Sequence, residues 1–203
     1  MRSKISLKWL LIIVGIVAIT VSSVAIFFPD QDSFTQSASL INNQTPQDLV
    51  DGESVELPIR LKIPRINVDA AVKYVGVTPQ GAMDAPKSPT EVAWFSLGPR
   101  PGEEGSAVIA GHEGWKNSIP AVFDDLHKLQ KGDKLYVEDE KGMVAVFVVR
   151  ELRIYDQNGD TSGVFGSSDG KVHLNLITCQ GVWNKNQKSY SHRLVVFTDK
   201  ETE

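Results

Sequence analysis

Short apolar, β-branched runs recur from about residue 57 to the end of the chain, and Gly, Pro and Asp separate them. Runs of about four to eight such residues at regular spacing are typical of antiparallel barrels and sandwiches. The pattern predicts strands at residues 58–63, 70–77, 106–111, 133–138, 143–154, 171–179 and 191–199, with a weaker eighth at 82–85. The chain should therefore fold as an all-β domain.

One segment, residues 119–130, has the periodicity of a helix instead. Its apolar side chains recur at intervals that place them on one helical face. Pro120 suits the first turn of a helix, and Gly132 follows as a stop signal. We expect one short helix here.

Before the strands, an apolar stretch at Trp9–Phe28 has about the ~20 residues needed to cross a hydrocarbon layer. A cleaved signal peptide is the alternative, but its apolar region usually spans only about 7 to 15 residues. Arg2, Lys4 and Lys8 precede the stretch, so the positive-inside tendency places the amino terminus in the cytoplasm. We expect a single-pass membrane anchor and an extracytoplasmic domain.

The rest of the chain divides into a linker and one folded domain. Residues 29–56 are polar and without sustained periodicity, as expected of a linker. The 203 residues, of which 41% are apolar, suffice for one sizeable core, which we place at residues 57–203. The whole chain carries −4, and the three cations of the first 28 residues leave −7 for the rest. An acidic body argues against nucleic acid as a partner.

Cys179, the only cysteine, ends a predicted strand and cannot form an internal disulfide. An unperturbed thiol has a pKa of about 8.5, so a catalytic cysteine needs a partner that accepts its proton or stabilises its thiolate. Four histidines are available. His173 lies on the same predicted strand, about 20 Å away at ~3.3 Å per residue. His127 falls on the polar side of the predicted helix, so neither is expected at the site.

His112 and His192 are the other two histidines. His192 begins the final strand, and strand alternation allows only one of His192 and its neighbour Arg193 to face Cys179. His112 follows an apolar strand and lies between two glycines, where the backbone can turn and lift an imidazole to the mouth of the strand. Spacing alone leaves His112 open between a functional and a structural role.

Three separated motifs resemble those of sortases, and they occur in the same order. Leu176–Cys179 reads LITC, similar to the Leu-x-Thr-Cys signature of that family. Gly111-His112 resembles the segment that carries the sortase histidine, and Arg193 occupies the place of the sortase arginine. The resemblance covers about residues 57–199, and the compact form is most similar to the minor classes D to F, class F above all.

The resemblance implies an eight-stranded β-barrel and a cysteine transpeptidase anchored at the outer face of the cell membrane in Gram-positive-type bacteria. Such an enzyme cleaves a carboxy-terminal, LPxTG-like sorting motif of secreted proteins. It then transfers the acyl group to an amine, from a peptidoglycan precursor of the cell wall or from a pilin lysine. By resemblance, Cys179 is the nucleophile, His112 the acid and base, and Arg193 the oxyanion stabiliser or substrate positioner, while Thr178 supports substrate binding.

No cofactor or essential metal is expected. The Asp156–Ser167 stretch offers oxygen ligands but lacks the sixth-position Gly and twelfth-position Glu of an EF-hand loop.

Two rival functions remain. An L,D-transpeptidase would place Gly before the nucleophile and Arg two residues after it, whereas this chain has Thr178 and Gly181 there. In a non-catalytic anchored binding module, Cys179 would be a small buried hydrophobe.

Overall fold

The structure is a computed structural model that describes residues 55–185 and 189–202. The predicted anchor at residues 9–28 and nearly all of the predicted linker lie outside those residues. Within the described ranges, no helix is both long and apolar enough to cross a membrane. The proposed domain boundaries stay predictions.

Eight strands of the described chain close into a barrel, which confirms the predicted all-β, eight-stranded fold. The strands are β1 (Pro58–Ile63), β2 (Val68–Val75), β3 (Val92–Phe95), β4 (Gly105–Ala110), β5 (Lys134–Asp139), β6 (Val144–Asp156), β7 (Val172–Asn184) and β8 (Ser189–Lys200). Around the barrel the order is β1-β2-β3-β4-β7-β8-β6-β5, and β5 pairs with β1 to close it. The helices are a short α1 (Ser162–Phe165) and 3-10 turns at Pro64–Ile66, Lys116–Ser118 and Leu126–Lys128.

Most neighbouring strands are antiparallel, but two pairs are parallel. These are β2 with β3 and β4 with β7. The second parallel pair places the carboxyl ends of β4 and β7 at the same edge of the barrel. β8 continues the sheet on the far side of β7, in antiparallel register. The three strands β4, β7 and β8 therefore form one continuous surface.

Alternate side chains of these strands point into the barrel and form its main core. On β7, Leu174 and Leu176 are fully buried there, and on β4 Ala107 and Ile109 join them. Each buried leucine or isoleucine side chain contributes about 1.5 to 3 kcal/mol on burial. The opposite face of the same strands is therefore the outer face.

A second apolar cluster covers part of that outer face. Val108, Val195 and Phe197 of the sheet pack with Val164 of α1, and Phe165 contacts Phe95 edge-to-face at 5.5 Å between ring centroids. The loop that holds α1 is also tied to β7 by a polar contact, since Asn175 Nδ2 donates to the Val164 carbonyl at 2.7 Å. Ile177 of β7 packs against this outer cluster, so the face that continues towards Cys179 is apolar.

The predicted eighth strand at residues 82–85 is wrong. Met83 makes only an isolated bridge with Val77, and the eighth strand is β3, Val92–Phe95. The first three residues of β3 are buried on both faces, so the segment lacks the alternation of apolar and polar residues by which strands are recognised.

The predicted helix at residues 119–130 is also wrong. The backbone amides of this segment bond to carbonyls three residues earlier, as in Leu126 N to Phe123 O, so the chain forms turns and a 3-10 turn. Phe123, Leu126 and Leu129 are nevertheless buried in the main core. The spacing of the apolar residues correctly indicated that they are buried. A series of tight turns can bury residues at this spacing as well as an α-helix can.

Candidate active site

The pairing of β7 with β8 places Arg193 directly opposite Cys179. Directly opposed residues of an antiparallel pair share a face of the sheet. The neighbouring pair joins Gln180 with His192, so His192 lies on the other face. Of the two candidates at the start of the last strand, the arginine is the one that accompanies the cysteine.

The pairing of β4 with β7 carries His112 towards the same point. The parallel register ends with Ala110 opposite Ile177. It is continued by two hydrogen bonds, from Gly111 N to the Ile177 carbonyl at 3.1 Å and from Thr178 Oγ1 to the Gly111 carbonyl at 2.8 Å. His112 and Cys179 each follow two residues after the last pair. The histidine backbone therefore lies beside that of the cysteine.

Thr178 and Cys179 point in opposite directions. Thr178 is only 3% exposed, and its hydroxyl donates a hydrogen bond to the Gly111 carbonyl. Its structural role is to fix the spacing between the ends of β4 and β7. Cys179, like Ile177, faces the outer side and is half-buried. A substrate can approach the thiol only from that outer side.

The His112 ring is held by two contacts. Its Nε2 lies 2.7 Å from the Pro86 carbonyl oxygen, and its ring centroid lies 4.6 Å from that of Trp115, at a 59° tilt. The loop after β4 is itself fixed, since Phe123 N donates to the His112 carbonyl at 2.9 Å. The imidazole is thus held at the end of β4 from both the β2–β3 connection and its own loop.

The Arg193 guanidinium is oriented by its own hairpin. Nη1 donates to the carbonyls of His192 at 2.8 Å and Tyr190 at 3.1 Å, and Nη2 donates to Ser189 Oγ at 3.1 Å. These acceptors are neutral, so the positive charge is not cancelled by a carboxylate at these bonds. The side chain is half-buried, which strengthens its field at the neighbouring thiol.

Burial raises the pKa of the Cys179 thiol above its ordinary value, because the thiolate loses hydration. Arg193 acts in the opposite direction and favours the thiolate, while the carboxylate of Glu113 disfavours it. Burial also raises the pKa of Glu113. The resting site therefore holds a neutral thiol, whose ionisation Arg193 favours.

We expect alkylation of Cys179 by iodoacetamide to be slow at pH 7 and to rise as pH increases past 9. The thiolate is the reactive form, and its pKa lies above the ordinary value. Arg193→Gln should raise this pKa further and slow alkylation at pH 8, whereas Glu113→Gln should lower the pKa and accelerate alkylation. Alkylation rates against pH, followed by mass spectrometry, measure this; half-maximal reactivity below pH 7 would contradict it.

His192 has a separate set of partners. Its Nδ1 lies 2.7 Å from Ser191 Oγ, and its Nε2 lies 3.4 Å from Asp156 Oδ1 at the end of β6. Gly181 makes room for it: a Cβ on this glycine would lie 2.7 Å from His192 Nδ1, and the φ of +91° also suits glycine. These contacts tie the β7–β8 hairpin to β6 and do not direct the imidazole to Cys179.

We expect Arg193→Lys to lower the turnover of an acyl-transfer substrate by about 10²-fold or more, the scale of losing one oxyanion donor. Lysine keeps the charge but lacks the planar, two-pronged donor geometry. His192→Ala should lower turnover much less, since its ring lies on the other face of the sheet. Rates measured with melting temperatures separate chemistry from unfolding. A fully active Arg193→Lys protein, or a folded but inactive His192→Ala protein, would contradict the assignment.

His127 and His173 are the other two histidines. His127 is exposed beside Lys128. His173 is buried, with Nδ1 2.8 Å from Asp199 Oδ1 and Nε2 3.1 Å from Asp169. Hydrogen bonds from Ser167 and His173 lower the pKa of Asp169. This contact anchors the loop between β6 and β7.

Two neighbours of His112 were not found from the sequence. Trp115 follows it by three residues in a Gly-containing loop, and this short spacing is the sequence signal for the contact. Pro86 belongs to a different connection, and no sequence spacing predicts its contact with His112.

The stretch that was compared with a calcium-binding EF-hand loop lies at the end of β6 and after it. Asp160 Oδ1 accepts a bond from Ser162 N at 2.9 Å, and Asp156 lies near His192. Among the described residues, no group of three or more His, Cys, Asp or Glu is arranged to hold a metal ion. The expectation that no metal is essential stays a prediction.

Neither of two cavities in the described part of the structure is lined by Cys179. A cavity of about 1020 Å³ is lined by Val55, Met143 and Lys200, away from Cys179. A second, of about 400 Å³, is lined by Ile66 and Asp125, also apart from the thiol. The candidate site lies along the outer face of β4, β7 and β8 instead.

A family model described as the sortase domain matches residues 61–201. The chain belongs to the sortase family. This confirms the resemblance drawn from the three motifs and does not support the L,D-transpeptidase alternative. No curated protein sequence matches the chain.

Solved sortase structures share the fold. Sortase C-1 from Actinomyces oris is 26% identical, with a TM-score of 0.55, over 71% of this chain and 73% of that one. Sortase A from Corynebacterium diphtheriae, a lid mutant, is 20% identical, with a TM-score of 0.56, over 72% and 71%. The complex of Streptococcus agalactiae sortase C1 and MTSET is 23% identical, with a TM-score of 0.56, over 71% and 67%. The resemblance to class F stays a prediction.

Proposed function

We propose that this sortase is a membrane-anchored cysteine transpeptidase that cleaves a carboxy-terminal sorting motif of secreted proteins and transfers the acyl group to an amine. The observation that supports it is the convergence of three side-chain positions. The register places Arg193 opposite Cys179, and the end of β4 brings His112 beside the same cysteine. A nucleophile, a proton carrier and a fixed cation then serve one acyl-transfer site.

The first half-reaction forms an acyl-enzyme. The Cys179 thiol gives its proton to neutral His112, and the resulting thiolate attacks the scissile carbonyl carbon, so that an S–C bond forms and the carbonyl oxygen becomes an oxyanion. Arg193 stabilises this oxyanion by charge-assisted hydrogen bonds. As the intermediate collapses, the C–N bond breaks and the His112 imidazolium donates a proton to the departing amine.

The second half-reaction reverses these roles. An incoming amine attacks the thioester carbon, and neutral His112 accepts the proton that the amine loses. Arg193 stabilises the second oxyanion, the C–S bond breaks, and the departing thiolate takes the proton from His112 to become the thiol again. Each residue is used in both halves, so the site ends in the state in which it began.

The approach of the substrate follows from the burial pattern. The outer face beside Cys179 is apolar through Ile177 and the outer cluster. An extended peptide with apolar residues before the scissile bond suits such a surface. The acceptor amine is that of a peptidoglycan precursor or of a pilin lysine.

The proposed location is the outer face of the membrane, with the anchor at residues 9–28. The support is the basic start and the length of the apolar stretch. Accessibility of an introduced tag near the carboxyl terminus to external protease in intact cells tests it. Protection of the tag until the cells are lysed would overturn this placement.

The deciding experiment for function uses the full chain, purified in detergent, with a panel of peptides carrying LPxTG-like motifs. We expect a thioester-mass adduct on Cys179 with one or more peptides, and its conversion to an amide product when an amine is added. Varying the motif and the amine then defines the specificity. A folded protein that forms no adduct with any peptide, yet has a freely alkylated thiol, would refute the assignment.

A further inference from the structure

We infer that Trp115 and the Pro86 carbonyl position the His112 ring, with Nε2–H bonded to Pro86, so that Nδ1 is the nitrogen that exchanges protons during acyl transfer. This inference rests on the proposed function. It adds Trp115 as a positioning residue and assigns different tasks to the two ring nitrogens.

The first step concerns the Pro86 contact. His112 Nε2 lies 2.7 Å from the Pro86 carbonyl oxygen. A carbonyl oxygen only accepts hydrogen bonds, so the contact is favourable only when Nε2 carries a proton. Pro86 is buried, which limits the access of water to its carbonyl as a competing partner. The neutral ring is therefore held as the Nε2–H tautomer, with its lone pair on Nδ1.

The second step concerns the face of the ring. Trp115 lies 4.6 Å from His112 between ring centroids, a distance typical of aromatic pairs in contact. Without it, the imidazole could turn about its side-chain bonds and lose the Pro86 bond. Trp115 thus restricts the orientation of the His112 ring.

The third step concerns what holds Trp115. The Asp124 carboxylate accepts bonds from Gly114 N at 2.7 Å and Ala121 N at 2.9 Å, which closes the loop around the tryptophan. Asn117 and Ser118 follow with φ of 58° and 57°, the left-handed region that non-glycine residues seldom adopt. Such conformations persist where the surrounding structure imposes them. The loop is therefore built to keep Trp115 against the ring.

The proton steps then have a defined route. In acylation, Nδ1 takes the proton of the Cys179 thiol and passes it to the departing amine nitrogen while Nε2–H stays bonded to Pro86. In aminolysis, Nδ1 takes a proton from the attacking amine as the new C–N bond forms, and it returns that proton to the sulfur as the C–S bond breaks. The Nε2 proton takes part in neither transfer, and no further reactant is required.

The test compares Trp115→Ala and Trp115→Phe in the full chain in detergent, with Tyr74→Ala as a matched control. Tyr74 is an aromatic of β2, 44% exposed, on a strand that contributes nothing to the site. With the best peptide of the panel, we expect Trp115→Ala to lower kcat about tenfold, with KM changed less than twofold. Trp115→Phe should recover most of kcat, and Tyr74→Ala should leave both constants unchanged.

A second measurement does not depend on turnover. In protein labelled with ¹⁵N-histidine, the two-bond and three-bond couplings of each ring distinguish the Nε2–H from the Nδ1–H tautomer. We expect His112 to be Nε2–H in the wild type and in Trp115→Phe, and a mixture of tautomers in Trp115→Ala. The His112 signals are assigned with His112→Gln.

The outcomes separate the two proposals. An Nδ1–H tautomer in the wild type, or a Trp115→Ala protein with unchanged tautomer and kcat, overturns the inference. A wild type with the expected tautomer that forms no acyl-enzyme with any peptide leaves the positioning of the ring intact and overturns the proposed function instead. Equal losses in Trp115→Ala and Trp115→Phe would show that packing of the ring face is not what positions His112.

Discussion

Cys179→Ala should abolish the acyl-enzyme and reduce transpeptidation by at least about 10⁴-fold, the scale on which removing a nucleophile acts. The cysteine side chain is half-buried and small, and its loss leaves the Thr178 bond to Gly111 in place. The melting temperature should therefore change by only a few degrees. Intact-protein mass spectrometry with a sorting peptide, followed by the amine-transfer assay, makes the comparison.

Cys179→Ser is the matched control, since it keeps the size and a weakly nucleophilic oxygen. It should also be inactive in transfer, because the serine hydroxyl is far harder to ionise than a thiol at neutral pH. A thioester-mass adduct on Cys179→Ala cannot arise in this chain, because it has no other cysteine. A peptide adduct of any kind on that variant would mean that another residue is the nucleophile.

His112→Ala should lower transpeptidation by about 10² to 10⁴-fold, the range that general acid–base catalysis supplies. Both halves of the reaction need the imidazole, so acylation and amine transfer should both be slow. His127→Ala, the matched surface control, should keep wild-type rates because that histidine is exposed and lies in a different turn. Rates of both steps, measured separately by rapid quench, are compared. Comparable losses in the two variants would contradict the choice of His112.

His173→Ala serves as a control of another kind. Its ring joins Asp169 and Asp199, so its removal leaves two carboxylates without that partner. The expected effect is a loss of about 1 to 3 kcal/mol in the free energy of unfolding. At temperatures where the variant stays folded, its turnover should remain close to that of the wild type. Thermal denaturation and the peptide assay together distinguish this from a catalytic role.

The sequence predicted best those strands in which apolar and polar residues alternate. Seven strand regions were predicted near their positions, and alternation alone implied that only one of His192 and Arg193 could face Cys179. Alternation could not say which one, and only the resemblance to sortases pointed to Arg193. That choice depends on the register of β7 against β8, which the hairpin and its bulge after Gln180 determine.

The errors arose where local pattern and tertiary environment disagree. β3 is short and buried on both faces, so it carries no alternation. The segment at residues 119–130 has helical spacing, yet the Asp124 carboxylate bonds to Gly114 N and Ala121 N and favours turns. The contact of His112 with Pro86 joins residues 26 positions apart and depends on the closed barrel.

The parallel pairing of β4 with β7 also bears on when the protein becomes reactive. The bond between Thr178 and Gly111 spans 67 residues of sequence, and closing such a long loop has an entropic cost that local contacts do not repay. The pairing is thus expected to form late in folding, after the hairpin of β7 and β8. In a chain that has not finished folding, the Cys179 thiol is not yet beside His112. Catalytic activity is therefore expected to appear only when the barrel has closed.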